Sequence, residues 1–161
     1  MTLEKILKSR KNIKNILIKA SGDVLNKHQF FDFAINKAKN NYVIVISGCG
    51  TNINKAFKKA GYDICFDKHG RVMRTWEERK IAREIIEKEE KDIQDKFIGK
   101  GVYVIAPLLY AGPVLCPINA DNLVKAYYLG FDEIYVFTLK KRIEDKQKIF
   151  ADYPKVKVIG V

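Results

Sequence analysis

The chain has 161 residues, 47% of them hydrophobic and 11% aromatic, which predicts one globular domain, 1–161, and excludes a disordered polymer. Thirty Lys and Arg against nineteen Asp and Glu give a formal charge of +11, which favours anionic partners such as a nucleotide, a phosphorylated metabolite or a carboxylate. No run approaches the ~18 apolar residues of a membrane span, and no basic stripe or known module points to nucleic acid.

Met1–Lys14 alternates charged and apolar residues and lacks the apolar core of a secretory leader, so a cytoplasmic protein is expected. Asn15-Ile-Leu-Ile-Lys-Ala20 is a short apolar run closed by Ser21-Gly22-Asp23, a buried strand ending in a turn. Gln29–Lys39 carries Phe30, Phe33, Ala34 and Lys37 at helical spacing. Tyr42–Ile46 is a second buried strand, and it runs into Ser47-Gly48-Cys49-Gly50. Thr51–Ala60 is helical, with Ile53, Ala56 and Phe57 on one face and Gly61 as its stop. Tyr62–Val72 is irregular. Thr75–Phe97 is the longest helix, opened by Thr75 with Glu78 at capping-box spacing; Ala82, Ile85, Ile86, Ile93 and Phe97 make its buried stripe. Gly101–Ala106 and Val114–Ile118 read as strands, Asn119–Leu129 as a helix, and Glu133–Thr138 and Lys155–Ile159 as the last strands. Strands alternating with helices predict an α/β three-layer sandwich around a mostly parallel sheet.

Cys49, Cys65 and Cys116 are odd in number and widely spaced, which fits buried thiols rather than a disulfide framework or a metal site. No metal-binding cluster is expected.

In an open parallel sheet, ligands bind beyond the carboxyl ends of the strands. Three segments fall there: Lys19-Ala20-Ser21-Gly22, Gly48-Cys49-Gly50-Thr51-Asn52 and Asn119-Ala120-Asp121. Glycines between strand and helix let backbone approach an anion and expose amides at a helix N-terminus. A strand-end lysine adds a point charge for phosphate oxygens, and a nearby acid can orient that lysine or bind magnesium. Each signal has a plainer structural reading. Gly48-x-Gly50 lacks the third glycine of a dinucleotide fingerprint and reads equally as a tight turn, Lys19 as a solvent-facing strand lysine, and Asp121 as a first-turn acid serving the helix dipole.

Taken together, these segments resemble the amino acid kinase family. Ile16-Leu-Ile-Lys-Ala-Ser-Gly-Asp-Val-Leu25 is similar to its opening strand and lysine–glycine loop, closest to uridylate kinases. Val43-Ile-Val-Ile-Ser-Gly-Cys-Gly-Thr-Asn-Ile-Asn54 and Lys58-Lys-Ala-Gly61 resemble the second glycine loop and helix of acetylglutamate kinases. Gly70-Arg-Val-Met-Arg-Thr75 is similar to the carboxylate-binding segment of those enzymes, and Pro117-Ile-Asn-Ala-Asp-Asn122 to the family's Asn-x-Asn-Ala-Asp helix. The resemblance implies catalytic roles for Lys19, on the transferring phosphate, and Asp121, organising the lysines around it. Gly22, Gly48 and Gly50 would offer amides to phosphoryl groups and acceptor. Arg71 would hold an acceptor carboxylate, unless it is an exposed arginine paired with Glu77 or Glu78. Asn119 would line the acceptor pocket.

The implied activity is an ATP- and Mg2+-dependent phosphotransferase acting on a small carboxylate- or phosphate-bearing metabolite; the alternative is a non-catalytic binding or regulatory descendant. A homodimer is expected from the family's habit and from the long helix Thr75–Phe97, although that helix can also bury its stripe on its own sheet. Several positions depart from the pattern. Pro117 stands for the motif's first asparagine, Ser47 for a histidine that often precedes the glycine loop, and Leu139-Lys-Lys-Arg142 for the usual Asp-x-x-Gly-Val. The sequence ends at Val161, where relatives continue into segments that complete the nucleotide site and add another lysine. A partner chain completing that site is therefore a further expectation, as is poor discrimination among nucleotide bases.

Overall fold

The computed structural model describes residues 13–161, so most of Met1–Lys14, read above for a leader, lies outside the described residues. In chain order the elements are β1 Asn15–Ala20, a 3-10 turn Gly22–Val24, α1 His28–Ala38, β2 Tyr42–Ser47, α2 Gly50–Lys59, β3 Phe66–Asp67 and β4 Gly70–Arg71. They continue with α3 Trp76–Lys96, β5 Val102–Ile105, β6 Leu108–Ala111, β7 Val114–Pro117, α4 Ala120–Tyr127, β8 Glu133–Thr138, α5 Ile143–Ile149 and β9 Val156–Gly160. Among the described residues no helix is long and apolar enough to cross a membrane.

Five strands form one sheet in the order β5-β2-β1-β8-β9, and every pairing is parallel. This is the mostly parallel α/β sheet that the alternation of strands and helices predicts. Its middle strand, β1, is buried from Ile16 to Ala20, as a strand covered on both faces must be. Period-two alternation sends Ile16, Ile18 and Ala20 to one face, where they meet Phe30 and Ala34 of α1 and Ile93 of α3, with Phe97 at the end of that helix. Phe30 packs edge-on against Phe97 and Phe137 at centroid distances of 6.0 and 5.7 Å. Leu17 points to the other face, into Leu123 and Val124 of α4 and Phe150 after α5. Lys19 follows Leu17 by two residues, so its side chain takes that second face.

The long helix α3 opens with the capping box: Thr75 Oγ1 accepts the Glu78 N–H at 3.1 Å, and the Glu78 carboxylate accepts the Thr75 N–H at 2.8 Å. Its apolar stripe packs within the chain, Ala82 and Ile86 against Ile53 and Phe57 of α2, and so supplies no reason of its own for a dimer.

The structure departs from the sequence reading in three places. The irregular stretch 62–72 contains a small hairpin, β3–β4. A second hairpin pairs β6 with β7, where only the later strand is expected. Finally, the segment 139–150, to which no element is assigned above, forms a 3-10 turn at Lys140–Arg142 and then α5.

Candidate functional site

The strand order fixes where a site can form. From β1 the chain moves outward in one direction to β2 and β5, then returns to place β8 on the other side of β1. The loops after β1 and β8 therefore leave a crevice at the carboxyl edge of the sheet, the topological switch point where such folds bind ligands. In register, Ala20 lies beside both Ser47 and Phe137, so the ends of β1, β2 and β8 are level there.

Backbone contacts draw the loops together. Ser21 N–H donates to Phe137 O at 3.0 Å and Gly48 N–H to Ala20 O at 2.8 Å. The glycine loops touch so closely that a Cβ on Gly22 would lie 2.5 Å from Gly48 O, and one on Gly48 would lie 2.9 Å from Ala20 O. Gly48 thus serves by allowing this approach. Its N–H is engaged by Ala20, which departs from the expectation that its amide is offered to a ligand. Gly50 opens α2, whose N-cap, Cys49, makes no side-chain capping bond; the first-turn amides of such a helix lack intrahelical partners. Burial pushes the Cys49 thiol up to about 12, so it is a packing group rather than a nucleophile.

Lys19, on the second face of β1, meets α4. Asn119 caps that helix by accepting the Asp121 N–H at 2.8 Å, which orients Asp121 in the first turn. The Lys19 ammonium donates to Ser21 Oγ at 3.0 Å and lies 3.0 Å from Asp121 Oδ1. The other carboxylate oxygen, Oδ2, accepts from Lys146 of α5. All three charged side chains are buried, with 5% of Lys19, 7% of Lys146 and 11% of Asp121 exposed. Burial alone would raise the Asp121 carboxyl, but the two ammoniums outweigh it and hold the group below the ordinary carboxylate range. Burial lowers Lys19 below the usual lysine range, and the attraction of Asp121 offsets only part of that.

Lys146 is the site residue that the sequence does not reveal. It sits in a run of lysines on a seven-residue helix, and only the packing of α5 beside β8 brings it to Asp121. The available signal was a basic segment directly after the strand that flanks β1.

Arg71 stands on β4, and its guanidinium lies over the rings of Phe66 and Phe57, 4.8 and 5.6 Å from their centroids. Its Nη2 donates to Gly50 O at 3.1 Å, while Nη1 is buried with no partner among the described residues. The alternative pairing with Glu77 or Glu78 does not form, since Glu78 is engaged in the capping box. The β3–β4 hairpin rests on the start of α4: Asn122 Nδ2 donates to His69 O at 2.8 Å, and Gly70, with φ of 124°, leaves room for Asn119.

Lys19, Gly22, Gly48, Gly50, Arg71, Asn119, Asp121 and Lys146 all line one cleft of about 610 Å³, a size suited to a small metabolite. Among the described residues no three His, Cys, Asp or Glu side chains gather as a metal site.

No protein-family model matches this chain, and no curated protein matches it. Among solved structures it is similar to smu.665 from Streptococcus mutans UA159, with a TM-score of 0.65 and 16% identity over 77% of this chain and 72% of that one. It is also similar to N-acetylglutamate synthase from Neisseria gonorrhoeae. The complex with coenzyme A and N-acetyl-glutamate aligns at TM-score 0.64 and 10% identity over 87% of this chain, and that with coenzyme A and L-arginine at 0.64 and 7% over 99%. The chain spans 46% and 60% of those two synthase chains. At such identities the likeness is one of fold alone: the chain has a fold similar to that of these solved structures.

Proposed function

We propose that the cleft binds a small carboxylate- or phosphate-bearing metabolite and transfers a phosphoryl group to it from ATP. The observation that carries this reading is the buried triad Lys19–Asp121–Lys146 at the switch point of the sheet, between the glycine loops. Phosphoryl transfer needs positioning and charge neutralisation more than covalent catalysis. Lys19 and Lys146 would neutralise the phosphoryl oxygens while Asp121 holds both ammoniums in place. Arg71, lying over the rings of Phe66 and Phe57 with Nη1 unpaired among the described residues, is prepared for an acid group of the acceptor.

The protein does not build a magnesium site around Asp121, because each of its oxygens faces a lysine. Magnesium would arrive on the nucleotide's own phosphates. The reading extends to a cytoplasmic homodimer, with a partner chain as one source of further walls for the nucleotide. The dimer rests on the family resemblance, and sedimentation showing only monomer at micromolar concentration would remove it.

A second reading is a binding or regulatory domain without catalysis. It is favoured by the solved neighbours of the same fold, a synthase in complexes that contain N-acetyl-glutamate and L-arginine. Steady-state ADP release with a panel of acids and phosphorylated acceptors separates the two. Base-selective turnover abolished by Asp121→Asn supports the kinase. A ligand-induced thermal shift without turnover supports the binding domain, and neither response would refute both.

A further inference from the structure

β8 is followed by the basic turn Lys140–Arg142, and Arg142 lines the same cleft as Lys19 and Lys146. The turn is closely seated. Arg142 N–H donates to Leu139 O at 2.9 Å, and a Cβ on Gly160 of β9 would lie 3.2 Å from Lys140 Cα and collide with Ile143. Gly160 therefore provides the gap into which the turn fits.

The guanidinium is held only loosely. Arg142 Nη1 lies 3.6 Å from Asp23 Oδ2, and both side chains are more than a third exposed, which makes a weak and exchangeable pair. The other oxygen of Asp23 accepts from Thr51 Oγ1 at 3.3 Å. This one carboxylate thus links the segments that follow β1, β2 and β8.

We propose that Arg142 forms a second phosphate subsite: a diphosphate or longer chain sets one phosphoryl group at Lys19 and Lys146 and the next at Arg142, which releases Asp23 to take it. The inference rests on the reading above that the cleft accepts a phosphoryl group. Three cations, Lys19, Lys146 and Arg142, face two carboxylates, Asp121 and Asp23. Asp121 is committed to both buried lysines, so Asp23 is the one a ligand can displace. A lone phosphate is served by the lysines; a second phosphoryl group brings charge that a guanidinium can meet with two parallel hydrogen bonds. Burial is the main reason the Lys19 ammonium is depressed, and the charge of Arg142 contributes to it, so the two cations are electrostatically coupled through the cleft.

The test is calorimetric titration of the full chain at low salt with orthophosphate and with pyrophosphate, in EDTA and in Mg2+. Wild type is expected to prefer pyrophosphate by about tenfold, the worth of one charge-assisted contact, with EDTA present. Arg142→Gln should bring that preference to about twofold or less, Arg142→Lys should keep part of it, and Asp23→Asn should tighten pyrophosphate by a few-fold. Lys141→Gln, on an exposed neighbour, controls for diffuse charge and should leave the preference in place. If Arg142→Gln or Lys141→Gln gives the opposite result, or if pyrophosphate binds only with Mg2+, the second subsite is overturned while the cleft reading stands. If wild type binds neither anion, both fall.

Discussion

Replacing Asp121 with asparagine keeps the shape of the triad and removes the charge between its lysines. The Lys19 and Lys146 side chains, 5% and 7% exposed, would then be two buried ammoniums without a counter-ion. Loss of one partner from a buried ion pair costs about 3–5 kcal/mol, which for a chain of this size lowers Tm by roughly 6–20 °C. Urea and thermal denaturation in an anion-free buffer read this directly. Adding orthophosphate should restore part of it, because an anion between the ammoniums replaces the missing carboxylate; at 100 times its Kd a ligand returns about 2.7 kcal/mol. The pH profile provides an independent check. The Asp121 carboxyl is depressed in the folded state, so its stabilisation is present above the unfolded carboxylate range and lost as pH falls through the folded value. Lys19 is also depressed, so the folded state loses that proton first and stability recovers as pH rises towards the ordinary lysine range. In Asp121→Asn the first contribution disappears and the alkaline recovery grows. A variant within about 1 kcal/mol of wild type, indifferent to phosphate, would refute the view that the three charges form one unit.

Gly48→Ala should destabilise by about 1–3 kcal/mol and weaken anion binding, since its Cβ would meet only backbone, with Ala20 O at 2.9 Å; Gly50→Ala, whose Cβ would meet only the Arg71 Nη2 at 3.9 Å, should be neutral or slightly stabilising. Equal losses in the two variants by urea denaturation would contradict the close approach of the loops. Thr75→Ala should cost about 1 kcal/mol by removing one half of the capping box on α3, and an unchanged urea midpoint would count against it. Cys49, with its thiol pushed up to about 12 by burial, should resist iodoacetamide at pH 8 in the native protein while exposed Cys116 is alkylated; comparable labelling of both by mass spectrometry would contradict the packing role.

Much of this fold could be read from the sequence because β1, β2 and β8 are buried along most of their length, and burial on both faces writes itself as near-continuous apolar runs. The site was legible where it follows those strands directly. Lys19, Gly22 and Gly48 sit at strand ends, and Asn119 and Asp121 open a helix, so their neighbourhood follows from the sheet alone. The hairpin β6–β7 was not legible in full: Leu109, Tyr110 and Val114 are exposed apolar residues, so they do not alternate as a half-buried strand should. Arg71 was identified without its setting, since the stacking of Phe66 depends on pairing across β3–β4.

Lys146 illustrates a different limit. Among Lys140, Lys141, Arg142 and Lys148 it looks like one more solvated lysine, although helical spacing sets it on one face with Ile143 and Phe150. A pair of Lys19 and Asp121 alone is neutral and calls for no further cation. With Lys146 added, two ammoniums and one carboxylate leave one positive charge in excess within a buried group. Such an excess is costly in a low-dielectric site, and the cleft is open beside it. An anion entering there lowers the energy of the triad itself, in addition to any contacts it makes with the glycine loops. The same charge excess that makes Asp121 sensitive to replacement is thus the physical source of the affinity attributed to the cleft.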